Sequence, residues 1–299
     1  LGSGALRCQG AAGRHPGLYI RGRTLDDPQS KALWEGLKAA GCNPVLRSAS
    51  SYLQGQVERD FDAVAVCGQR SAEGLITRDY AAKGIPSIIL DLGYVRRASL
   101  GNDAGFFQLS IGHLGWLPTG PCPLDRWRAL GVPFPTYVPK PKTAPVLICG
   151  QVEGDASHGL SVETLARHYR ALVARYGACG TRPILFKPHP LSDRLKGGYG
   201  EDAVVVGDIR AAVEKAGLVV SYGSTAGLDA ILAGTPASVV GPAIYAGIAS
   251  RPGDPGEGVL PSPFALRGFL SRLAYAQWTL EEIASGQAIR FLRSTGELP

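Results

Sequence analysis

The sequence predicts an α/β protein made of two similar domains that face a cleft. Three observations carry this reading. Short apolar runs alternate with stretches of helical apolar spacing along most of the 299 residues. The runs in the second half are continuously apolar, as in parallel strands covered on both faces. The alternation breaks once, over 119–143, where prolines replace periodicity, and then restarts. Two Rossmann-like domains are therefore expected.

In the first half, "GLYIRG" (17–22) reads as a strand, and "SKALWEGLKAAG" (30–41) has helical spacing closed by a glycine. "NPVLRSA" and "FDAVAVCG" (61–68) read as strands. "SAEGLITRDYAAKG" (71–84) reads as a helix capped by Ser71, and "IPSIILDLG" (85–93) as the most hydrophobic strand of this half. "FFQLSIGHLGWLP" (106–118) mixes strand and turn signals. In the second half, strands are read in 144–151, 181–190, 202–207, 218–223 and 235–242, and helices in 161–177, 209–217 and 224–234. Residues 263–293 carry a helical pattern. The expected domains are 1–125 (the acceptor side), a linker at 126–143, a nucleotide-sugar domain at 144–262, and helices at 263–299 that cross back to the first domain.

Hydrophobic residues make up 45% and charged residues 19%, which suits a globular chain and excludes extensive disorder. The formal charge of +6 favours anionic partners: nucleotides, phosphates, acidic glycans, nucleic acid or a membrane surface. The basic residues are scattered, so no nucleic-acid stripe stands out. The six cysteines form no CxxC pair and have no histidine at a zinc-like offset, so no structural metal is expected. Cys42, Cys67 and Cys149 read as small core residues, and a reducing cytoplasm is expected. No apolar stretch reaches the length of a spanning helix.

Ligands of open α/β sheets sit at the carboxyl ends of the strands, and four strand ends carry suitable residues. "GQVEGDASHG" (150–159) offers Glu153 and Asp155. Two close carboxylates can divide their roles, one charged and one protonated. A polar loop with Asp155 capping a turn is the alternative. "FKPHPLSDR" (186–194) fixes Lys187 and His189 between prolines that dictate the backbone path. The lysine suits a phosphate or carboxylate, and the histidine can donate a hydrogen bond or carry a proton. A plain strand exit is the alternative. "SYGSTAGLDAILAGTP" (221–236) joins strand to helix through small residues. Its open N–H groups with Ser221, Ser224 and Thr225 suit an anion, and Gly223 allows close approach. A simple capping turn is the alternative. The pattern is neither GxGxxG nor the Walker loop, so dinucleotide and NTPase readings lose weight. In "GPAIYAG" (241–247), Tyr245 either stacks on a base or sugar, or packs.

In this order, "QVEGD", "KPHP", "GSTAGLDAILAGTP" and "GPAIYAG" resemble the capsule polysaccharide glycosyltransferases that add β-linked Kdo, an acidic eight-carbon sugar, from CMP-Kdo. The likeness spans residues 144–293. It implies a GT-B fold and metal-independent transfer with no cofactor beyond the nucleotide-activated sugar. It makes Asp155 the nucleophile of a double displacement that retains configuration, Glu153 a supporting or acid/base carboxylate, and His189 with Lys187 the groups facing the cytidine phosphate. Ser221, Ser224 and Thr225 fall in the motif that holds that phosphate. The likeness departs after Gly247, where a tryptophan of the family is replaced by "IASRPGDPGEG". In the amino-terminal half, Arg96, Arg97 and His113 suit an anionic acceptor, with ordinary loop polarity as the alternative.

The function expected is transfer of an acidic sugar, first of all Kdo, to an anionic glycan or lipid-linked acceptor, in the cytoplasm and at the inner face of the membrane by peripheral association. Three alternatives stand beside it: transfer from another nucleotide sugar, with a modified DNA base as acceptor; a sugar-nucleotide epimerase; and a non-catalytic nucleotide-sugar-binding subunit.

Overall fold

A computed structural model describes residues 15–20, 24–56, 61–69, 72–99, 102–155, 158–178, 180–196, 199 and 203–298. The expected cap Ser71 lies outside them. The chain divides into two units, one formed by Leu1–Pro121 with Leu273–Pro299 and the other by Cys122–Arg272.

The first unit opens with strand β1 (Gly17–Ile20), helix α1 (Pro28–Ala39), β2 (Val45–Ser48), a short α2 (Ala49–Leu53), β3 (Val64–Cys67), α3 (Ala72–Ala81), β4 (Ser87–Leu92) and β5 (Phe107–Ile111). Asp27 starts α1 by accepting from the Ser30 N–H at 2.8 Å, with Pro28 in the first turn where a missing donor does no harm. Strands β1 to β4 are parallel, but β5 runs antiparallel to β4, Leu92 facing Phe107. The mixed signals of 106–118 leave this strand and its direction open. The described residues of the connection over 93–106 hold no helix to carry a parallel crossover, so the chain turns back on itself.

The second unit begins with α4 (Asp125–Ala129) and continues through β6 (Val146–Cys149), α5 (Val162–Gly177), β7 (Ile184–Lys187), β8 (Ala203–Val205), α6 (Ile209–Lys215), β9 (Leu218–Ser221), α7 (Ala226–Leu232) and β10 (Ala237–Val239). The stretch expected as a linker, 126–143, instead packs within this unit. Trp127 is fully buried, Lys140 donates to the Glu214 carbonyl at 2.6 Å, and Gly234 approaches the Thr136 carbonyl so closely that a Cβ would sit 2.1 Å from it. Five parallel strands form the sheet in the order β10-β9-β6-β7-β8. Alternate residues face opposite layers. Val146 and Ile148 pack with Tyr169 and Phe186, whereas Leu147 and Cys149 pack with Ala212, Val219 and Ala230. Each such aliphatic side chain contributes about 1.5–3 kcal/mol by burial. Ser161 caps α5 through the Thr164 N–H.

Helix α8 (Pro263–Tyr275) passes the boundary between the units, and the 263–293 stretch is not helical throughout. β11 (Gln277–Trp278) pairs antiparallel with β5, completing the order β11-β5-β4-β3-β1-β2, and α9 (Leu280–Ala284) and α10 (Gln287–Ser294) follow. Trp278, Ile283, Ile289 and Leu292 enter the core formed by Leu18, Leu33, Leu37 and Leu90. Gly36 lets α1 approach the Ile283 carbonyl, where any Cβ would clash at 2.0 Å. Among the described residues no helix is long and apolar enough to cross a membrane.

Candidate functional site

In the second unit the chain leaves β6 for β7 and β8, then returns to β9 on the other side of β6. The order reverses between β6 and β9, and the carboxyl ends of those strands form the place where open α/β sheets bind ligands. Cys149 is in register with both Lys187 and Ser221, so the three loops that follow leave the sheet side by side.

The loops after β6 and β7 are joined directly. The Gly150 N–H donates to the Lys187 carbonyl at 2.8 Å, and a Cβ on Gly150 would meet the His189 nitrogen at 3.2 Å. Farther out, the buried Ser192 hydroxyl donates to Glu153 Oε2 at 2.8 Å. The backbone amide of Glu153 and this hydroxyl hold the Glu153 carboxyl below its usual range. That opposes the proton-holding part of the expected acid/base role, since a carboxylate stabilised by donors stays charged. Asp155 sits in a tight loop: its carbonyl accepts from the N–H groups of His158 and Gly159, and Gly154 N–H donates to the Leu160 carbonyl.

His189 is half-buried, and its Nδ1 accepts from the Leu191 N–H at 3.2 Å. The neutral ring then carries its proton on Nε2. Burial pulls its pKa down, Asp155 and Glu153 pull it up, and Lys187 pulls it down. Asp155 also acts on His158. Its charge is therefore felt by a histidine on each loop. Lys187 donates to the Pro188 carbonyl at 2.9 Å, which folds its ammonium back over its own loop.

The turn after β9 is more self-contained than the sequence predicts. Ser224 Oγ accepts from the Ala226 N–H at 3.2 Å, and the Ser224 carbonyl accepts from Gly227 N–H at 3.1 Å. These two amides serve the turn itself, and α7 is only seven residues long. Thr225 occupies the cap position without a side-chain capping bond. Tyr245 is fully buried. Its hydroxyl donates to the Ser224 carbonyl at 2.9 Å, so its 2.7 Å partner Ser221 is the donor between those two hydroxyls. The ring lies where a Cβ of Gly227 would be. Stacking of Tyr245 on a base or sugar is thus replaced by bracing, and Ser221, also buried, braces with it. At Gly223 the close approach is made by the chain itself: a Cβ there would meet the Pro242 carbonyl at 2.3 Å and Gln151 Nε2 at 3.9 Å.

The sequence reading missed a cluster behind the site. Tyr222 stands edge-to-face with His158 at 5.7 Å and with His168 of α5 at 5.5 Å. His158 Nδ1 accepts from Leu160 N–H at 3.0 Å, and burial lowers the pKa of both histidines. Only the "SH" of "GDASHG" hinted at this. The loop at 251–258, where the family likeness departs, packs away from the site: Glu257 accepts from Tyr176 in the last turn of α5 and from Gly253 N–H.

The residues assigned to the acceptor lie in the first unit. Arg96 and Arg97 are exposed and follow β4. His113 follows Gly112, whose N–H donates to Ser87 at the opposite end of β4. The arginines and this histidine do not form one cluster.

No protein-family model and no curated protein matches the sequence. Among solved structures, the chain is similar to Thermosulfurimonas dismutans KpsC, beta Kdo 2,4 transferase, with 17% identity and a TM-score of 0.55, over 87% of this chain and 90% of that one. It is also similar to Thermosulfurimonas dismutans KpsC, beta Kdo 2,7 transferase, with 14% identity and a TM-score of 0.50, over 93% of this chain and 99% of that one. These likenesses show the fold: an α/β chain of two Rossmann-like domains of the GT-B type.

Proposed function

We propose that the chain is a glycosyltransferase that moves an acidic sugar, Kdo from CMP-Kdo, to an anionic glycan or lipid-linked acceptor. The observation that supports this reading is that the loop after β6, with Glu153 and Asp155, and the loop after β7, with Lys187 and His189, are joined by the Gly150–Lys187 and Ser192–Glu153 hydrogen bonds. The fold shared with the two Kdo transferases and the motif likeness support the same assignment.

In the proposed reaction, an Asp155 carboxylate oxygen attacks the anomeric carbon of Kdo as the bond from that carbon to the phosphate oxygen breaks. CMP leaves with the electron pair. The neutral His189 donates its Nε2–H to the departing phosphate, and the Lys187 ammonium swings from Pro188 to offset its charge. An acceptor hydroxyl then attacks the same carbon, its proton passes to a base, and the Asp155 carboxylate is released. Two inversions give net retention. Glu153, held ionised, keeps the 150s loop on Ser192 and adds negative potential beside the cationic carbon. Ser224, Thr225 and Gly223 form the wall nearest the phosphate, with Ser221 and Tyr245 behind them.

The test is thermal stabilisation by nucleotides, since a ligand that binds the folded state raises the melting point. CMP should stabilise the protein more than CDP, UMP, UDP or GDP. Preference for UDP or GDP overturns the CMP-Kdo donor, and sugar-nucleotide isomerisation without acceptor overturns transfer. CMP binding with no turnover across acidic acceptors leaves a binding subunit instead.

A further inference from the structure

Two glutamines in the first unit are committed to one loop. Gln108 of β5 and Gln277 of β11 are cross-strand partners, and both are buried. Gln277 Oε1 accepts from the N–H groups of Tyr94 and Val95, each at 3.0 Å, and its amide donates to the Val95 carbonyl at 3.1 Å. Gln108 donates to the Leu92 carbonyl at 3.1 Å, while its oxygen accepts from the Tyr94 and Ser110 hydroxyls and the Gly115 N–H. The loop continues into Arg96, whose φ of 47° lies in the left-handed region that arginine seldom occupies. The opposite side of the loop is also fixed. Phe106 N–H donates to the Arg96 carbonyl at 3.0 Å, and Gly105 passes so close that a Cβ would meet that carbonyl at 2.7 Å. Backbone held against its preference by many hydrogen bonds is a feature of ligand-holding sites. What this backbone presents is two adjacent exposed arginines at the carboxyl end of a central strand.

We propose that residues 93–98 form a rigid ledge that binds the carboxylate of an acidic sugar through Arg96 and Arg97, and that Gln277 is its positioning residue. That this sugar is the acceptor rests on the transferase reading; the ledge itself does not. Guanidinium groups match carboxylates in a two-pronged geometry, and a loop already ordered loses less freedom on binding.

The experiment measures binding of an octamer of α2,8-linked sialic acid to the full chain by calorimetry, with a neutral maltose oligomer as control. The wild type should bind the acidic octamer and not the neutral one, more weakly as salt rises. Arg97→Ala should weaken binding about tenfold. Arg96→Gly should weaken it equally while raising the melting temperature, because glycine relieves the left-handed strain. Gln277→Leu should weaken binding with both arginines present; it removes three buried hydrogen bonds and can fail to fold, so the surface variants carry the test. Equal affinity of wild type, Arg96→Gly and Arg97→Ala overturns the proposal, as does indifference of the wild type between acidic and neutral probes. Stabilisation by CMP is measured on the same variants and should be unchanged. Loss of octamer binding in the arginine variants of a protein that ignores CMP sinks the donor reading and leaves the ledge standing.

Discussion

The Ser192 hydroxyl donates a 2.8 Å hydrogen bond to Glu153 Oε2, tying the loop after β7 to the loop after β6. Ser192 Oγ also accepts from Leu195 N–H at 3.1 Å. One buried hydroxyl therefore sets the distance between the loop that carries Asp155 and the loop that carries His189.

Ser192→Ala should destabilise the protein by about 1–3 kcal/mol, since the Leu195 N–H loses its partner in a buried place. Transfer should slow about tenfold or more with CMP affinity nearly kept, because misplacing reacting groups harms the chemical step more than ground-state binding. Urea unfolding and steady-state kinetics check this. Transfer at the normal rate in a destabilised variant contradicts the positioning role.

The three histidines near the site give a pH prediction with a definite sign. Burial lowers the pKa of His158, His168 and His189 from an ordinary value of 6.5. Between the folded and unfolded values the unfolded chain binds more protons, so stability rises with pH there. The contribution is present above about 6.5 and is lost as pH falls through the lowered folded values. Melting temperature should fall between pH 7 and pH 5. Burial lowers the His168 pKa, so His168→Phe should make that fall shallower. Thermal unfolding across this range is the measurement, and an unchanged slope counts against the assignment.

Tyr245→Phe separates bracing from stacking. The ring stays, but the Ser221 hydroxyl and the Ser224 carbonyl lose their shared partner. Stability should drop by about 1–3 kcal/mol. A stacking role predicts little change in stability and full nucleotide affinity. Gly227→Ala should destabilise by about 1–3 kcal/mol through overpacking, because its new Cβ would lie 2.2 Å from the Tyr245 hydroxyl oxygen. Chemical denaturation reads both variants.

Most of the second unit is legible in the sequence because its strands are buried on both faces. Runs such as "VLIC" and "LVVS" have no other stable use between helices of matching period. The first unit is harder to read. Nothing in "FFQLSIG" fixes direction, and β5 runs antiparallel to β4. Gln277 reads as one polar position in a helical-looking stretch, yet it joins a two-residue strand and holds a loop 182 positions away. Glu153, Asp155, Lys187 and His189 are picked out by their place just after predicted strands, and they do lie on adjoining loops. Spacing could not show that Ser224 satisfies its own turn, or that Tyr245 points inward, since both outcomes depend on which neighbour fills the space above Gly227. The His158–Tyr222–His168 cluster was invisible for a related reason: its members come from a loop, a strand end and a helix, and no spacing rule joins them.

In the proposed reaction Asp155 forms a covalent bond to the transferred sugar. Its most direct measurement is mass spectrometry of the protein incubated with CMP-Kdo and no acceptor, then digested. One Kdo residue should appear on the peptide that contains Asp155 and be absent in Asp155→Ala, which should nearly lose transfer while keeping CMP binding. An unmodified peptide together with transfer by Asp155→Ala at the normal rate would contradict it.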